Sequence, residues 1–325
     1  MSEKKRVVCT DYTFTNLDIE KAVLAKQGYE LEAYQCRSEQ EVCSVVQGAD
    51  AVLVQFAPFG KQAINAVNVG ATIVRYGVGY DNIDIASGYE RGLKLAYVPD
   101  YCTNEVADHT VSLLLMCLRK NVAFDQSIRE GYWRAVEVGG ELKPFEETTI
   151  GFYGFGRIGK AVLDRLAPFG FQFVICDPLM VEQEAHVLGA KLMCADDFWV
   201  AADAYTLHAP ATEQTTNIIS KQTLAKMQSG AIVVNTARGE LVDEAALAEA
   251  LQTRSIGGAA LDVFGKEPMS FSSPLLKAPN LVLTPHSAWY STQSMQRLQR
   301  LAAEEIVRGL TGQSLRCPIR QIQQG

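Results

Sequence analysis

The chain has 325 residues, 48% apolar and 21% charged, with a formal net charge of −7 and a pI near 5.3. That length suits two domains of ordinary size, and an acidic chain without a Lys/Arg block excludes a broad nucleic-acid surface, which needs clustered cations against phosphates. The longest apolar run, near Val111–Leu118, stops at Arg119-Lys120 and is too short to span a bilayer, and the charged start Met1-Ser2-Glu3-Lys4-Lys5-Arg6 is not a signal peptide.

In chain order, 6–10, 29–34, 50–55 and 72–76 read as strands, with helical runs near 17–27, 39–47 and 60–68 between them. Such alternation predicts a largely parallel sheet. The stretch from Val74 to Asp84 then closes the last long strand of this region in a glycine loop, Tyr76-Gly77-Val78-Gly79. Either its backbone N–H groups hold a small anion, or it is a plain strand–helix turn with Asp81 or Asn82 as N-cap. Residues 98–104 read as a linker. From Thr103 or Asn104 a helix is expected to run to about Arg129, with too many apolar positions for a narrow stripe, so it should be buried on most sides, in part by a second subunit. Residues 131–147 read as an exposed connection.

Thr149 to Lys160 reads as a buried strand, a tight glycine turn and the first turn of a helix. Gly154, Gly156 and Gly159 form G-x-G-x-x-G around Phe155, Arg157 and Ile158. The first glycine permits the turn, the second lets a phosphate approach the backbone, and the third lets helix and strand pack closely. A second strand, 171–176, ends in Asp177. A carboxylate there can accept both ribose hydroxyls and repels a 2′-phosphate, which predicts NAD(H) rather than NADP(H); the bland reading is a turn carboxylate before Pro178. Further strands are expected at 191–193, 204–208, 231–235, 257–261 and 281–283. Helices are expected at Ser220–Met227, at Asp243–Leu251 with Asp243 as a plausible N-cap, and at Ser291–Leu310. The eight cysteines form no C-x-x-C pair and read as small buried hydrophobes in a reducing cytoplasm. The four histidines are isolated, which predicts no metal site.

Three polar residues stand at strand ends or loop starts: Arg238, Glu267 and His286. Taken singly, each reads as a surface, turn or cap residue. If their strands share one parallel sheet, all three emerge on its carboxyl-end side, the side of a dinucleotide crevice. An arginine fork can hold a carboxylate, a histidinium can give a proton to a developing alkoxide, and a carboxylate beside it stabilises that histidinium. The set points to hydride exchange between a nicotinamide and a 2-oxo or 2-hydroxy acid.

The stretches Asn235-Thr236-Ala237-Arg238-Gly239, Asp262-Val263 with Glu267-Pro268, and Thr284-Pro285-His286 resemble the signatures of the D-isomer-specific 2-hydroxyacid dehydrogenases, a resemblance running from about Val74 to Arg308. Within that family, Arg75 to Asp84, Leu261-Asp262-Val263 and His286 to Ser291 are most similar to the C-terminal-binding-protein branch, NAD(H)-binding corepressors of the same fold. The resemblance implies two doubly wound parallel-sheet α/β domains: a Rossmann cofactor domain, 102–289, inserted into a flavodoxin-like substrate domain, 1–101 with 290–325. It implies a homodimer through the NAD-binding domain. It implies an NAD-dependent reductase of a small 2-oxo acid or, alternatively, an NADH-sensing scaffold with little turnover. Arg238 would clamp the substrate carboxylate, His286 would be the acid/base and Glu267 its partner. Arg75, Tyr76, Gly77, Val78, Gly79 and Trp289 would meet the substrate, although Trp289 also reads as a core aromatic. Val106, Gly154, Phe155, Gly156, Arg157, Ile158, Gly159, Asp177, Ala209, Pro210, Thr215, Thr236, Ala237, Arg238, Asp262 and His286 would meet NAD. His208 is expected either in the cofactor pocket or as a plain strand end, and His109 and His186 as structural or solvated. Tyr76, Tyr101 and Trp289 together suggest a pocket able to stack a larger side chain.

Overall fold

The structure is a computed structural model that describes residues 5–320. Met1–Lys4 and residues 321–325, and with them the expectations for the charged start and for the end of the substrate domain, lie outside the described residues. The chain divides into two compact units, Met1–Cys102 with Tyr290–Gly325, and Thr103–Trp289.

In the first unit the order is β1 (Val7–Cys9), α1 (Asp18–Ala25), β2 (Leu31–Ala33), α2 (Glu39–Val45), β3 (Ala51–Val54), α3 (Lys61–Ala66), β4 (Thr72–Arg75), α4 (Ile85–Glu90) and β5 (Lys94–Tyr97). All pairs are parallel, in the order β2-β1-β3-β4-β5. Strands β1 and β3 are buried along their whole length, which is why they read as continuous apolar runs rather than as alternation. The strand order reverses between β1 and β3, where sheets of this kind usually open a ligand crevice. Here Asp11 fills it: its buried carboxylate accepts from the backbone N–H of Gln55 at 3.0 Å, Phe56 at 2.6 Å and Ala57 at 3.0 Å. Two expectations are corrected. Lys94–Tyr97 is a further strand, short and held between Gly92 and Pro99, so the sheet does not end at β4. The cap of α4 is Asp84, which accepts from Ser87 N–H at 3.1 Å, and not Asp81 or Asn82. The C-terminal helix, Thr292–Leu310, starts with a capping box on Ser291 and packs on α1, β3 and β4.

The second unit opens with α5 (Thr103–Leu118), α6 (Asn121–Arg129) and α7 (Ala135–Gly139). It continues with β6 (Thr149–Tyr153), α8 (Arg157–Leu166), β7 (Gln172–Cys176), α9 (Glu182–Val187), β8 (Ala190–Leu192), α10 (Ala195–Phe198), β9 (Ala204–Leu207), α11 (Lys221–Lys226), β10 (Ile232–Asn235), α12 (Glu244–Gln252), β11 (Gly258–Leu261) and β12 (Leu281–Leu283). The seven strands form one parallel sheet, β12-β11-β10-β9-β6-β7-β8, a doubly wound order with its switch point between β6 and β9. The single helix expected to reach Arg129 is broken: Lys120 adopts a left-handed φ of 52° and its ammonium caps Gly139 O at 2.5 Å. The many apolar positions of α5 are explained within the unit, because Ala107, Leu113, Leu114 and Cys117 share a core with Ile150, Phe152, Val162 and Leu166. Beyond the break, Trp133 and Val136 are strongly exposed.

Cys9, Cys36, Cys102, Cys117 and Cys176 are buried as expected; Cys43 and Cys317 are half-buried, and Cys194 is exposed. Among the described residues no helix is long and apolar enough to cross a membrane, and no His/Cys/Asp/Glu group could hold a metal ion.

A buried carboxylate ties the first unit together. Glu20 on α1 accepts from the Tyr76 hydroxyl at 2.8 Å and from the Gln299 amide of the C-terminal helix at 3.0 Å. Burial pushes its carboxyl above the ordinary carboxylate range, against the pull of those hydrogen bonds. A raised acid binds its proton more tightly in the folded state. Its stabilisation is therefore complete below the unfolded value of about 4.3 and is lost as pH rises through the folded value. Glu20→Gln has no such proton to lose. Its urea midpoint is expected to gain on the wild type between pH 4 and pH 7; parallel midpoint curves would contradict this.

Candidate functional site

The turn after β6 has the three-glycine form for stated steric reasons. Gly154 has φ +80°, and a Cβ there would lie 2.7 Å from Ala209 N, across the β6–β9 switch point. A Cβ on Gly156 would meet nothing within 4 Å, so its approach side is open, whereas one on Gly159 would press on Gly154 O at 3.3 Å. Gly156 is the N-cap of α8 and brings no side-chain acceptor. The N–H groups of Arg157, Ile158 and Gly159 in the first turn precede the first helical bond, from Lys160 to Gly156 O. That end of the helix suits an anion. The Asp177 carboxylate, at the end of β7, accepts from Phe155 N–H at 2.6 Å and Leu179 N–H at 2.8 Å. It therefore fixes the glycine turn and places a negative charge beside it. This cradle fits a dinucleotide with an unphosphorylated ribose.

Around the cradle lie other residues expected to meet the cofactor. Val106 and Ala209 are buried and Pro210 is exposed. The His208 ring is offset from that of Phe152, with centroids 6.0 Å apart and planes 29° from parallel, and its Nε2 is 3.0 Å from the Thr206 hydroxyl. Burial pushes its imidazole down to about 3, so it is neutral at ordinary pH. Thr215 donates to Pro210 O at 2.6 Å and closes the loop after β9. Thr236 is buried, with its hydroxyl 2.8 Å from that of Thr110 on α5.

Strands β10, β11 and β12 are neighbours, and the loops that leave their carboxyl ends carry Arg238, Glu267 and His286. His286 Nδ1 lies 2.6 Å from Glu267 Oε2, and each side chain is 34% exposed, so the pair is formed yet open to a small molecule. Burial disfavours the Glu267 carboxylate. The hydrogen bond and charge of His286, the Phe264 N–H and the Arg238 charge outweigh it, and the carboxyl sits below the ordinary range. With Nδ1 turned to a carboxylate acceptor, it carries the ring's N–H there, and Nε2 is the nitrogen left for exchange with a substrate. Arg238 belongs to the same electrostatic group, and its Nη1 donates to Ala237 O at 2.7 Å.

The loop that follows β4 uses its first two N–H groups internally. Tyr76 N–H donates to Val54 O at 2.8 Å and Gly77 N–H to Arg75 O at 3.0 Å. Within the Tyr76-Gly77-Val78-Gly79 stretch, no backbone carbonyl among the described residues takes the Val78 or Gly79 N–H. The Tyr76 ring is 1% exposed, bonded to Glu20 and edge-on to Phe14, and the Tyr101 ring is 5% exposed. The expectation that both rings line a stacking pocket is corrected: they belong to the core of the first unit. Arg75 donates to Tyr76 O at 2.6 Å and covers the Phe56 ring. Trp289 is half-buried at the end of the second unit.

The model of the D-isomer specific 2-hydroxyacid dehydrogenase NAD binding domain matches residues 111–288. A D-3-phosphoglycerate dehydrogenase of Archaeoglobus fulgidus is 36% identical over 295 residues, which make up 90% of this chain and 55% of that protein. The chain thus spans about half the length of the curated relatives it matches. A solved structure from Thermus thermophilus is 30% identical and superposes with a TM-score of 0.85 over 97% of this chain and 100% of its own. A glyoxylate reductase from Paecilomyes thermophila is 25% identical with a TM-score of 0.85, over 98% and 99%.

Several residues that hold this arrangement carry no expected role as supports. The Asn235 amide donates to Arg238 O at 2.7 Å and accepts from Ala237 N–H at 3.0 Å, which shapes the turn that presents Arg238. Asp262, expected against the cofactor, has its 1%-exposed carboxylate turned to the loop after β12. Gly239 was legible as part of a signature but not as a contact. A Cβ there would lie 1.9 Å from the Phe264 carbonyl carbon, so only glycine lets the Arg238 turn touch the loop that leads to Glu267. Gly239→Ala is expected to cost about 1–3 kcal/mol through overpacking against fixed backbone. A urea midpoint equal to wild type would contradict that contact.

Proposed function

The chain belongs to the D-isomer specific 2-hydroxyacid dehydrogenase family, and from that premise we propose that it interconverts a small 2-oxo acid and its D-2-hydroxy acid with NAD(H). The observation that carries the reading is the 2.6 Å His286–Glu267 pair, formed between the loops that leave β12 and β11, with β11 lying beside the strand that presents Arg238.

NAD(H), when bound, supplies or accepts the hydride. The protein's own part is threefold. Arg238 holds the substrate carboxylate with its planar fork, fixing the carbonyl carbon for attack. His286 gives its Nε2 proton to the carbonyl oxygen as negative charge develops there, and takes it back in the oxidative direction. Glu267, held ionised below the ordinary range, stabilises the imidazolium before transfer and keeps the ring from turning. Asp177 makes NADH the preferred form by repelling a 2′-phosphate. The Val78 and Gly79 N–H groups, with Arg75, are proposed as substrate-carboxylate donors, and Trp289 as a contact of the substrate side chain. Free and mostly buried cysteines favour a reducing compartment, the cytoplasm.

A second copy of the chain is the proposed partner of the second unit. Trp133 is 91% exposed and Val136 83%, with Ile128 and Tyr132 about half exposed nearby in sequence. A cluster of this kind on α6, α7 and their connection suits an interface. Trp133→Glu is expected to shift sedimentation towards the monomer; an unchanged sedimentation coefficient would contradict the assignment.

The test of function is a steady-state screen of 2-oxo acids with NADH and with NADPH. Tight NADH binding without turnover on any of them would favour a nicotinamide-sensing scaffold. His286→Ala should lower kcat by about 10²–10⁴-fold with NADH affinity preserved. Glu267→Gln should also lower kcat, because the charge that faces the imidazolium and the acceptor that holds the ring are gone. Turnover that survives His286→Ala would show that the acid/base lies elsewhere, and wild-type kcat in Glu267→Gln would break the pairing.

A further inference from the structure

Helix α5 sends two adjacent side chains, His109 and Thr110, to two different strand ends. His109 Nε2 is 3.1 Å from the Thr284 hydroxyl and 3.6 Å from Asp262 Oδ1. Thr284 closes β12, two residues before His286. The Thr110 hydroxyl is 2.8 Å from that of Thr236, two residues before Arg238. Contiguous positions of one helix thus reach the turn that carries the acid/base and the turn that carries the carboxylate clamp.

The protons in the first contact can be placed. The Thr284 hydroxyl has one hydrogen, and its oxygen lies 2.5 Å from Asp262 Oδ1, a buried carboxylate that accepts. That hydrogen goes to Asp262, so the threonine oxygen must accept from His109, and His109 carries its proton on Nε2. Asp262 in turn clamps the His286 turn. Its carboxylate accepts from Ser287 N–H and Ala288 N–H, both at 2.9 Å, and its carbonyl accepts from His286 N–H at 2.7 Å. His286 has φ +52°, a left-handed conformation uncommon for a residue other than glycine, and these three bonds hold it there.

We propose that His109 and Thr110 are positioning residues for the proposed reaction, His109 fixing the acid/base His286 through Thr284 and Asp262, and Thr110 fixing Arg238 through Thr236. This rests on the dehydrogenase reading. It assigns His109 a defined donor role, sharper than the general structural or solvated one its sequence context supports. The two halves of the device act on different kinetic quantities. Loosening His286 slows proton transfer and lowers kcat, whereas loosening Arg238 weakens the hold on the substrate carboxylate and raises KM.

The experiment compares His109→Leu, His109→Gln and Thr110→Val with the wild type, using the preferred 2-oxo acid, NADH and NADH deuterated at the transferred position. A misplacement of about 1 Å can cost about 100-fold in such sites, and His109→Leu is expected to lower kcat about 10- to 100-fold. NADH affinity should stay within about twofold, as for a change that spares ground-state cofactor binding. His109→Gln, which keeps a side-chain N–H donor, should recover most of the loss. Thr110→Val should raise KM for the 2-oxo acid more than it lowers kcat. A role for α5 that is only structural would move kcat, KM and melting temperature together in all three variants, and that pattern, or wild-type kcat in His109→Leu, overturns the proposal. If the wild type turns over no 2-oxo acid, the dehydrogenase reading fails, and the positioning claim is then decided by NMR of ¹⁵N-histidine protein. The Nδ1–H resonance of His286, hydrogen-bonded to Glu267, should be lost in His109→Leu and kept in His109→Gln; its persistence in the leucine variant overturns the proposal.

Discussion

A hydrogen bond of 2.6 Å joins two side chains nineteen positions apart, His286 Nδ1 and Glu267 Oε2. The chemistry proposed for the second unit depends on it, because it decides which imidazole nitrogen is left to exchange a proton and holds the ring against rotation. It can form only because β11 and β12 are adjacent and parallel, so that the loops leaving both strands start from the same edge. Arg238 joins them for the same reason, from the end of β10. The sheet order is therefore the cause of the site, and the supports around it, Asp262, Asn235 and Gly239, keep three loops in contact at backbone distance.

Both units are doubly wound, yet they treat their switch points in opposite ways. In the second unit Gly154 and Gly159 let the backbone at the β6–β9 crossing pack closely, Gly156 leaves its approach side open, and Asp177 stands beside the turn holding Phe155 N–H. In the first unit the equivalent crossing between β1 and β3 is closed from within, because Asp11 takes three successive N–H groups. Those N–H groups form the kind of nest that binds anions elsewhere, and here the protein supplies its own. Sheet topology permits a nucleotide site in either unit; local side chains choose between them.

Much of this was legible in the sequence because it is local or periodic. The glycine turn, the strands from Thr149 to Leu283 and the Asp243 cap follow from spacing and residue type within a few positions. Arg238, Glu267 and His286 were legible because each stands just past an apolar run, where a parallel sheet aligns its ends. What escaped depends on contacts through space or on direction. His109 and Thr284 are 175 positions apart, and nothing in either neighbourhood announces the other. The Tyr76 ring could face a pocket or the core, and only the buried Glu20 and Phe14 decide for the core. The break at Lys120 uses a left-handed lysine rather than a glycine, so no turn signal marks it.

The most direct measurement is a crystal structure of the full chain with NAD(H) and oxamate, an unreactive stand-in for a 2-oxo acid. The account requires His286 Nε2 within hydrogen-bonding distance of the oxamate amide oxygen, Glu267 still on Nδ1, and the Arg238 guanidinium on the carboxylate. An imidazole turned away from the bound acid, or a carboxylate held without Arg238, would contradict it.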